Sequence, residues 1–219
     1  MRGAGIILAA GVAGLAAPAA AHPHIFIDTG IEFLFDDTGK LAALRVVWAY
    51  DELYSLLILE DMGLDDDYDG VLTEAERAAL SGFDMAWVEG YDGDLRGTAG
   101  GQDLALSGPL DWTADLRDGR IVTTHVRALE NRVDPRAAPV ILRPYDPTFY
   151  TAYSATLAST ASAAGCTAET VPFDEDAAYA GLEQALAEAE AGGMDVEMDY
   201  PAVGALFADE IRLTCGPTG

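Results

Sequence analysis

The sequence predicts an α+β domain that is mainly an antiparallel, sandwich-like β-sheet, with an inserted helix–loop–helix and an amphipathic helix in its C-terminal half. Three observations support this class. Short β-favouring runs occur on both sides of the insertion, leucines recur at helical spacing in Glu52–Met62, and an alanine-rich helical pattern covers Ala177–Ala191. We expect a single domain at residues 22–219, with the insertion at about residues 51–88.

The strands are predicted from short apolar runs that end at turn residues. The turn Asp36–Lys40 separates the first two strands, and Asp118-Gly119 separates a later pair. In chain order, the predicted strands are His24–Phe35, Leu41–Tyr50, Thr113–Leu116, Ile121–Leu129, Val140–Leu142, Cys166–Phe173 and Ile211–Cys215.

The helices are predicted from periodicity and stop signals. Leucines in Glu52–Met62 recur at spacings near 3.6 residues, which indicates a helix. A second helix is expected from about Thr73 to Trp87, after an acidic loop. The amphipathic run Ala177–Ala191 ends at Gly192-Gly193, a typical helix stop.

The chain is strongly acidic. Its 219 residues include 12 Lys or Arg and 37 Asp or Glu, which gives a formal net charge of −25. Half of the residues are hydrophobic, so the chain can bury a core and is unlike a disordered acidic tail. This charge repels phosphate backbones and anionic membranes, which argues against nucleic acid as a partner and favours cations.

Residues 1–21 have the composition of a signal peptide. Arg2 precedes an uncharged apolar run, and Ala19 and Ala21 satisfy an A-x-A cleavage rule. Cleavage after Ala21 would leave His22 as the N-terminus of a periplasmic protein. The alternative is an uncleaved membrane anchor, because about twenty apolar residues can span a bilayer. No later segment has that character, so the processed chain is not expected to be an integral membrane protein.

Cys166 and Cys215 are the only cysteines in the chain. Both lie in or beside predicted strands, and the export signal indicates an oxidising compartment. We therefore predict a disulfide between them, with a two-thiolate metal site as the alternative.

The most specific motif is the twelve-residue segment Asp65–Glu76, which matches the calcium-binding loop of an EF-hand and lies between two predicted helices. Gly70 stands where the loop turns sharply, and Leu72 is expected to anchor the loop in the core. The predicted ligands are the carboxylates of Asp65, Asp67 and Asp69, the backbone carbonyl of Val71, Thr73 directly or through water, and a bidentate Glu76.

A purely structural interpretation of this loop is also open. Thr73-x-x-Glu76 is a helix capping box, and acidic chains generate Asp-x-Asp-x-Asp by chance. Without a cation, however, the converging carboxylates repel one another. Ca²⁺ is the expected ion, a lanthanide suits the same oxygen ligands, and Mg²⁺ fits poorly because it demands a smaller octahedral shell.

The three histidines of the chain form a second candidate site. After cleavage, His22 would offer an amine and an imidazole, and His24 lies on the same side of an extended strand. Pro23 argues against a square-planar amino-terminal site because it has no N–H to lose, which leaves ligation by imidazole or amine as the alternative. Asp28 shares the strand face of His24, and His125 could complete a site for Zn²⁺, Ni²⁺, Co²⁺ or Cu²⁺. The alternative is a frayed terminus and an ordinary sheet histidine.

Four segments together resemble a known family. They are Ala21–Asp28, Trp48–Ser55, the acidic loop and Tyr145–Tyr150. They resemble the exported bacterial "domain of unknown function one-thousand-seven" family, often labelled the periplasmic component of an uncharacterised ABC-type transport system. The resemblance covers essentially all of residues 22–219. It implies a periplasmic protein associated with transition-metal transporters, notably of the nickel/cobalt type.

Three functions follow from these patterns. The first is a metal-binding accessory protein, in which the histidines capture a transition metal for a membrane transporter and the acidic loop holds Ca²⁺. The second is a copper oxidoreductase that uses His22 and His125, with Tyr145 or Tyr150 nearby. The third is a calcium-stabilised interaction domain. The chain contains no GxSxG, P-loop, HExxH or dinucleotide fingerprint, so we do not expect an enzyme.

Overall fold

The computed structural model describes residues 22–163, 165–196 and 200–216. The predicted signal peptide, residues 1–21, lies outside the described residues. The described strands are β1 (Ile25–Phe35), β2 (Leu41–Tyr50), β3 (Leu95–Ala99), β4 (Gln102–Asp103), β5 (Leu110–Arg117), β6 (Arg120–Val133), β7 (Val140–Pro144), β8 (Thr151–Ser154), β9 (Thr160–Ala161), β10 (Cys166–Val171) and β11 (Glu210–Cys215). The described helices are α1 (Glu52–Met62), α2 (Glu74–Leu80), α3 (Glu175–Ala191) and a 3₁₀ turn at Gly204–Phe207.

The strands form two sheets. One has the order β5-β6-β2-β1-β8, with β9 also paired to β1, and the other has the order β10-β11-β7-β3-β4. Strands β8 and β9 run parallel to β1, while the other described strand pairs are antiparallel. The predicted α+β class with mainly antiparallel sheet is therefore confirmed at this level.

Two hairpins predicted from the sequence are present. Strands β1 and β2 pair across the turn after Phe35, where Asp36 Oδ1 accepts the Thr38 and Lys40 amides at 2.8 and 3.1 Å. Strands β5 and β6 pair across Asp118-Gly119, whose φ angles are 51° and 75°. Two consecutive positive φ angles match the right-handed twist of a tight hairpin, which explains the Asp-Gly sequence.

Helix α1 has the predicted bounds because both of its ends are capped. The Asp51 carboxylate accepts the Tyr54 amide at 2.9 Å, and Gly63 follows the helix with a φ of 62°. The Leu64 amide bonds back to the Leu59 carbonyl at 2.9 Å, which completes a Schellman-type end.

Helix α2 is shorter than predicted. It ends at Leu80 instead of continuing to about Trp87, since Ser81 is extended and Gly82 has a φ of 85°. A Cβ on Gly82 would lie only 2.8 Å from Nε1 of Trp112, so this position requires glycine. The left-handed φ that glycine adopts there is not helical, so the helix does not continue past it.

Both sheets and the two inserted helices contribute to one hydrophobic core. Its fully buried side chains include Ile31, Phe33, Leu41 and Leu44 from the first sheet, Val140, Leu142, Ile211 and Leu213 from the second, and Leu80 from α2. The predicted disulfide is present, since Cys166 and Cys215 face each other across β10 and β11 and are bonded. Within the described part of the chain, none of the helices combines the length and apolar character that a membrane crossing requires.

Candidate functional site

Three carboxylates converge in the loop between α1 and α2. One oxygen from each of Asp65, Asp67 and Asp69 lies within 4.8 Å of the other two. No other trio of His, Cys, Asp or Glu side chains comes this close among the residues that the structure describes. The cluster can therefore offer several hard oxygen ligands to one cation.

The backbone of the loop is tightly curved around Asp65. The Gly70 amide donates to Oδ1 and Oδ2 of Asp65 at 3.2 and 3.3 Å, and the Val71 amide donates to Oδ1 of Asp69 at 2.8 Å. Asp65, Tyr68 and Gly70 have φ angles of 55°, 55° and 75°. Only glycine adopts such angles without cost, so the loop holds two residues in a strained region.

Glu76 closes the loop by hydrogen bonds. Its Oε1 accepts the Asp65 amide at 3.0 Å, and its Oε2 accepts the amide and hydroxyl of Thr73 at 2.8 and 2.7 Å. These bonds, first of all the one from the Thr73 hydroxyl, lower the pKa of Glu76 because they favour its charged form. The capping box predicted at Thr73-x-x-Glu76 is therefore present.

Apolar side chains and one ion pair fix the loop to the sheets. Leu64 precedes the loop and Leu72 lies within it, and both are buried in the core, as the anchoring role predicted for Leu72 requires. Arg77 on α2 donates to Asp115 on β5 at 2.9 Å. The acidic segment is thus held at both ends, with Asp65 buried and Asp67 and Asp69 exposed.

His22 and His24 lie together beside two tyrosines. The two imidazole centroids are 5.0 Å apart, and the Tyr200 ring lies 4.1 Å from His22. Tyr150 lies 4.7 Å from His24 and 5.8 Å from His22, and its carbonyl accepts the His24 amide at 2.8 Å. The structure therefore brings the first two predicted histidines into one small aromatic cluster with Tyr150 and Tyr200. We call His22 and His24 the histidine pair.

Two buried polar atoms in and beside the histidine pair have no hydrogen-bond partner among the described residues. Nδ1 of His22 and the hydroxyl of Tyr200 are buried and make no hydrogen bond with the described residues. Burial lowers the pKa of His22, and the neighbouring His24 lowers it further, whereas Asp146 raises it. A neutral imidazole is the form that binds a transition metal, so this environment favours ligation.

His125 lies far from the histidine pair. Strand register places it opposite Val46, which in turn lies opposite Ile31 of β1. Ile31 is six residues from Ile25, so at about 3.3 Å per residue His125 is roughly 20 Å from the start of β1. The structure therefore does not bring His125 to the site that the sequence assigned to it.

His125 is instead a core residue between two indoles. Its side chain is 0 % exposed, and its ring lies 4.7 Å from that of Trp48 and 5.5 Å from that of Trp87. Neither ring nitrogen has a hydrogen-bond partner among the described residues. Burial, with a smaller effect of Arg127, lowers the pKa of His125 to about 3.

Asp28 is engaged elsewhere. Its Oδ2 accepts Nη1 of Arg120 at 2.6 Å, and its Oδ1 accepts the Thr156 hydroxyl at 2.6 Å. Arg120 also donates to the carbonyls of Ala49 and Tyr50, so Asp28 positions a guanidinium that joins neighbouring strands. This carboxylate is committed to an ion pair and does not contribute to the histidine pair.

Sequence reasoning missed Tyr200 and Asp146 as neighbours of His22. Asp146 belongs to the Tyr145–Tyr150 segment, so the grouping of that segment with the N-terminal histidines was an available signal. Tyr200 comes from a distant part of the chain with no local motif, and only the fold places its ring beside His22.

Comparison with known proteins gives a family but no function. No curated protein matches the chain. A family model described as "Protein of unknown function (DUF1007)" matches residues 7–215, which is nearly the whole sequence. The chain belongs to this DUF1007 family.

Proposed function

We propose that this protein is an exported metal-binding protein, in which the acidic loop binds Ca²⁺ or a lanthanide in the manner of an EF-hand. The histidine pair would hold a transition metal such as Ni²⁺, Co²⁺, Zn²⁺ or Cu²⁺ for delivery to a membrane transporter. The disulfide supports export because such bonds persist in oxidising compartments. The protein acts by binding and needs no catalytic residue.

The convergence of Asp65, Asp67 and Asp69 carries this proposal. Oxygen ligands lie about 2.3–2.6 Å from Ca²⁺, so two oxygens on one ion are at most about 5 Å apart. The three carboxylate oxygens already lie within 4.8 Å of one another. A cation between them would offset the repulsion of three like charges, which supports binding here more strongly than the motif alone.

Glu76 would complete the site by a change of partners. It now accepts three hydrogen bonds from Thr73 and Asp65, and bidentate ligation would require breaking some of them. Losing these bonds opposes ligation, so the rearrangement subtracts from the affinity for the ion. We infer a calcium affinity near the 10⁻⁴–10⁻³ M typical of extracellular modules.

The histidine pair would supply the transition-metal site. Its support is the 5.0 Å separation of two imidazole centroids, together with the buried, unpartnered Nδ1 of His22. If the chain begins at His22, its amine is a further nitrogen donor beside these rings. The ligands of this proposal are His22 and His24, with the Tyr200 hydroxyl nearby, and His125 is left out.

The copper oxidoreductase is weakened by the same geometry. That hypothesis pairs His22 with His125, and the register separates His125 from the start of β1 by roughly 20 Å. We therefore favour binding and delivery over redox catalysis.

A calcium-stabilised interaction domain is the second candidate function. Helix α1 exposes Leu53, Leu56 and Leu57 on its outer face, directly before the acidic loop. Apolar side chains grouped on a surface helix are typical of a protein contact site.

Elemental analysis of protein purified natively from the periplasm tests the proposal. We expect one calcium-type ion and one transition-metal ion per chain, and intact mass should show His22 as the first residue. Natively purified protein that contains neither ion, and remains so after dialysis against mixed divalent and trivalent salts, would contradict the proposal. Calcium alone would favour the interaction domain.

A further inference from the structure

Arg127 carries a buried positive charge, and no Asp or Glu oxygen of the described residues lies within 4.0 Å of its guanidinium nitrogens. It lies on β6 and is 3 % exposed. Its Nε donates to the Ser107 carbonyl, and its Nη1 donates to the Asp92 carbonyl at 2.9 Å. Both acceptors are uncharged backbone oxygens, and Nη2 makes no hydrogen bond with any described residue.

This situation is unusual for an arginine of this chain. Among the described residues, eight other arginines lie within 4.0 Å of an Asp or Glu oxygen, namely Arg45, Arg77, Arg96, Arg117, Arg120, Arg132, Arg136 and Arg212. The carboxylate of Asp92 is taken by Arg96 at 2.8 Å. Burial lowers the pKa of Arg127 to about 10, which leaves it charged at neutral pH. The nearby charge of Asp92 favours the charged guanidinium but does not offset its burial, because Asp92 is paired with Arg96. A buried charge that is only partly compensated is unfavourable, so an anion that pairs with it directly would be stabilised here.

The arginine opens onto a cleft of about 530 Å³. Its guanidinium lies 4.7 Å from the ring centroid of Trp87, which also lines the cleft and holds the group in place. Leu104 and Leu106 supply apolar wall. A cleft of this volume, with apolar walls and one oriented charged group, is typical of small-molecule sites.

We propose that this cleft binds a small organic monocarboxylate whose two oxygens pair with the guanidinium of Arg127. The planar fork of arginine matches a carboxylate, and the apolar wall suits the body of the ligand. Arg96, Asp92 and Asp103 also line the cleft, and Arg96 is paired with Asp92 at 2.8 Å. Arg127 is therefore the cation available to a ligand, and a second negative charge on the ligand would have no partner and would be repelled by Asp103. This site uses neither the acidic loop nor the histidine pair, so it is independent of the proposed metal binding.

Calorimetric titration of the purified protein with benzoate tests this inference. Benzamide, which has the same shape without the charge, is the matched neutral probe, and inorganic phosphate is the multiply charged one. We expect saturable binding of one benzoate per chain and at least about tenfold weaker binding of benzamide and phosphate. No benzoate binding at millimolar concentration, or equal affinity for benzoate and benzamide, would overturn the proposal.

Two substitutions locate the bound carboxylate. Arg127→Met should weaken benzoate binding at least about tenfold, whereas Arg132→Met, which removes an exposed arginine of the same strand, should leave it unchanged. If Arg127→Met does not fold, Arg127→Lys decides, because it keeps the charge and loses the planar fork. Unchanged benzoate affinity in the folded Arg127 variant would overturn the assignment of the site.

Discussion

The amide of Gly70 donates to both carboxylate oxygens of Asp65, at 3.2 and 3.3 Å, and so joins the first and sixth residues of the acidic loop. This contact turns the chain back on itself between two helices. It also fixes the Asp65 side chain, which is the most buried of the three converging carboxylates. These hydrogen bonds within the chain set the curvature of the loop.

Gly70→Ala should destabilise the protein by about 1–2 kcal/mol. The φ of Gly70 is 75°, which an L-residue adopts only at about that cost, while a Cβ would meet no atom within 4 Å. The expected fall in melting temperature is roughly 2–8 °C for a chain of this size, measured by scanning calorimetry. Gly108→Ala is the control, because its Cβ also meets nothing and its φ is not left-handed. Equal losses in both variants would contradict this account of the turn.

Glu76→Gln should remove most of the stabilisation that calcium gives. A free ion concentration ten times the dissociation constant stabilises a folded protein by about 1.4 kcal/mol. The parent should therefore melt several degrees higher in about 10 mM Ca²⁺ than without it. Glutamine can still cap α2 but is a poorer calcium ligand, so the shift should shrink in the variant. Glu74→Gln removes a similar charge from the same exposed turn and should keep the shift. A parent without any calcium-dependent shift would refute the role of the loop.

The double variant His22→Ala, His24→Ala should abolish transition-metal binding and leave the fold intact. Both residues precede β1, and neither belongs to the hydrophobic core. Calorimetry with Ni²⁺, Co²⁺ and Zn²⁺ measures the loss, and circular dichroism checks the fold. Affinities equal to those of the parent would show that the histidine pair is not the site.

His125→Leu should raise stability by about 1 kcal/mol or more at pH 7 and leave metal affinity unchanged. The substitution removes two buried ring nitrogens that have no described partner and keeps a similar volume. Urea denaturation measures the change. If His125→Leu is less stable than the parent, the two ring nitrogens are not unpaired and the prediction is wrong.

The same variant should change the response to acid. The pKa of His125 is lowered from 6.5 to about 3 on folding, so between these values the unfolded chain binds the extra proton. This contribution therefore destabilises the parent increasingly as the pH falls from about 6.5 towards 3. The stability advantage of His125→Leu should widen over that window, and a constant difference between the two proteins would contradict the lowered pKa.

Asp94 has the opposite effect on how the stability of the parent depends on pH. Burial raises its pKa from 3.8 to about 6, although Tyr91 and Tyr153 donate to its carboxylate at 3.0 Å. The folded chain thus binds the extra proton between about pH 6 and 4, so this group relieves part of the acid destabilisation. For this reason the pH test compares His125→Leu with the parent and does not use the parent alone.

Local patterns predicted the elements whose ends carry their own signals. The bounds of α1 follow from Asp51 and Gly63, and the β5–β6 hairpin follows from Asp118-Gly119. Gly82, two residues after Leu80, is a local stop signal of the same kind, and the prediction of a helix to about Trp87 overlooked it. The close contact of Gly82 with Trp112, by contrast, could not be predicted, because it depends on a strand more than twenty residues later. The sandwich-like packing of the sheets stays a prediction.

The two candidate sites also differ in whether local sequence determines them. The acidic loop is contiguous, so its spacing was enough to predict that its carboxylates converge. The surroundings of the histidines depend on contacts between distant segments. Tyr200 reaches His22 through the fold, and His125 is separated from the pair by strand register.

Calcium titration of the parent and of Asp67→Asn is the most direct test of metal binding by the acidic loop. The Asp67 carboxylate is exposed and makes no hydrogen bond with the described residues, so its replacement should leave the ion-free loop unchanged. We expect one Ca²⁺ per chain in the parent and at least about tenfold weaker binding in the variant. Absence of binding in the parent, or equal affinity in both proteins, would contradict the account.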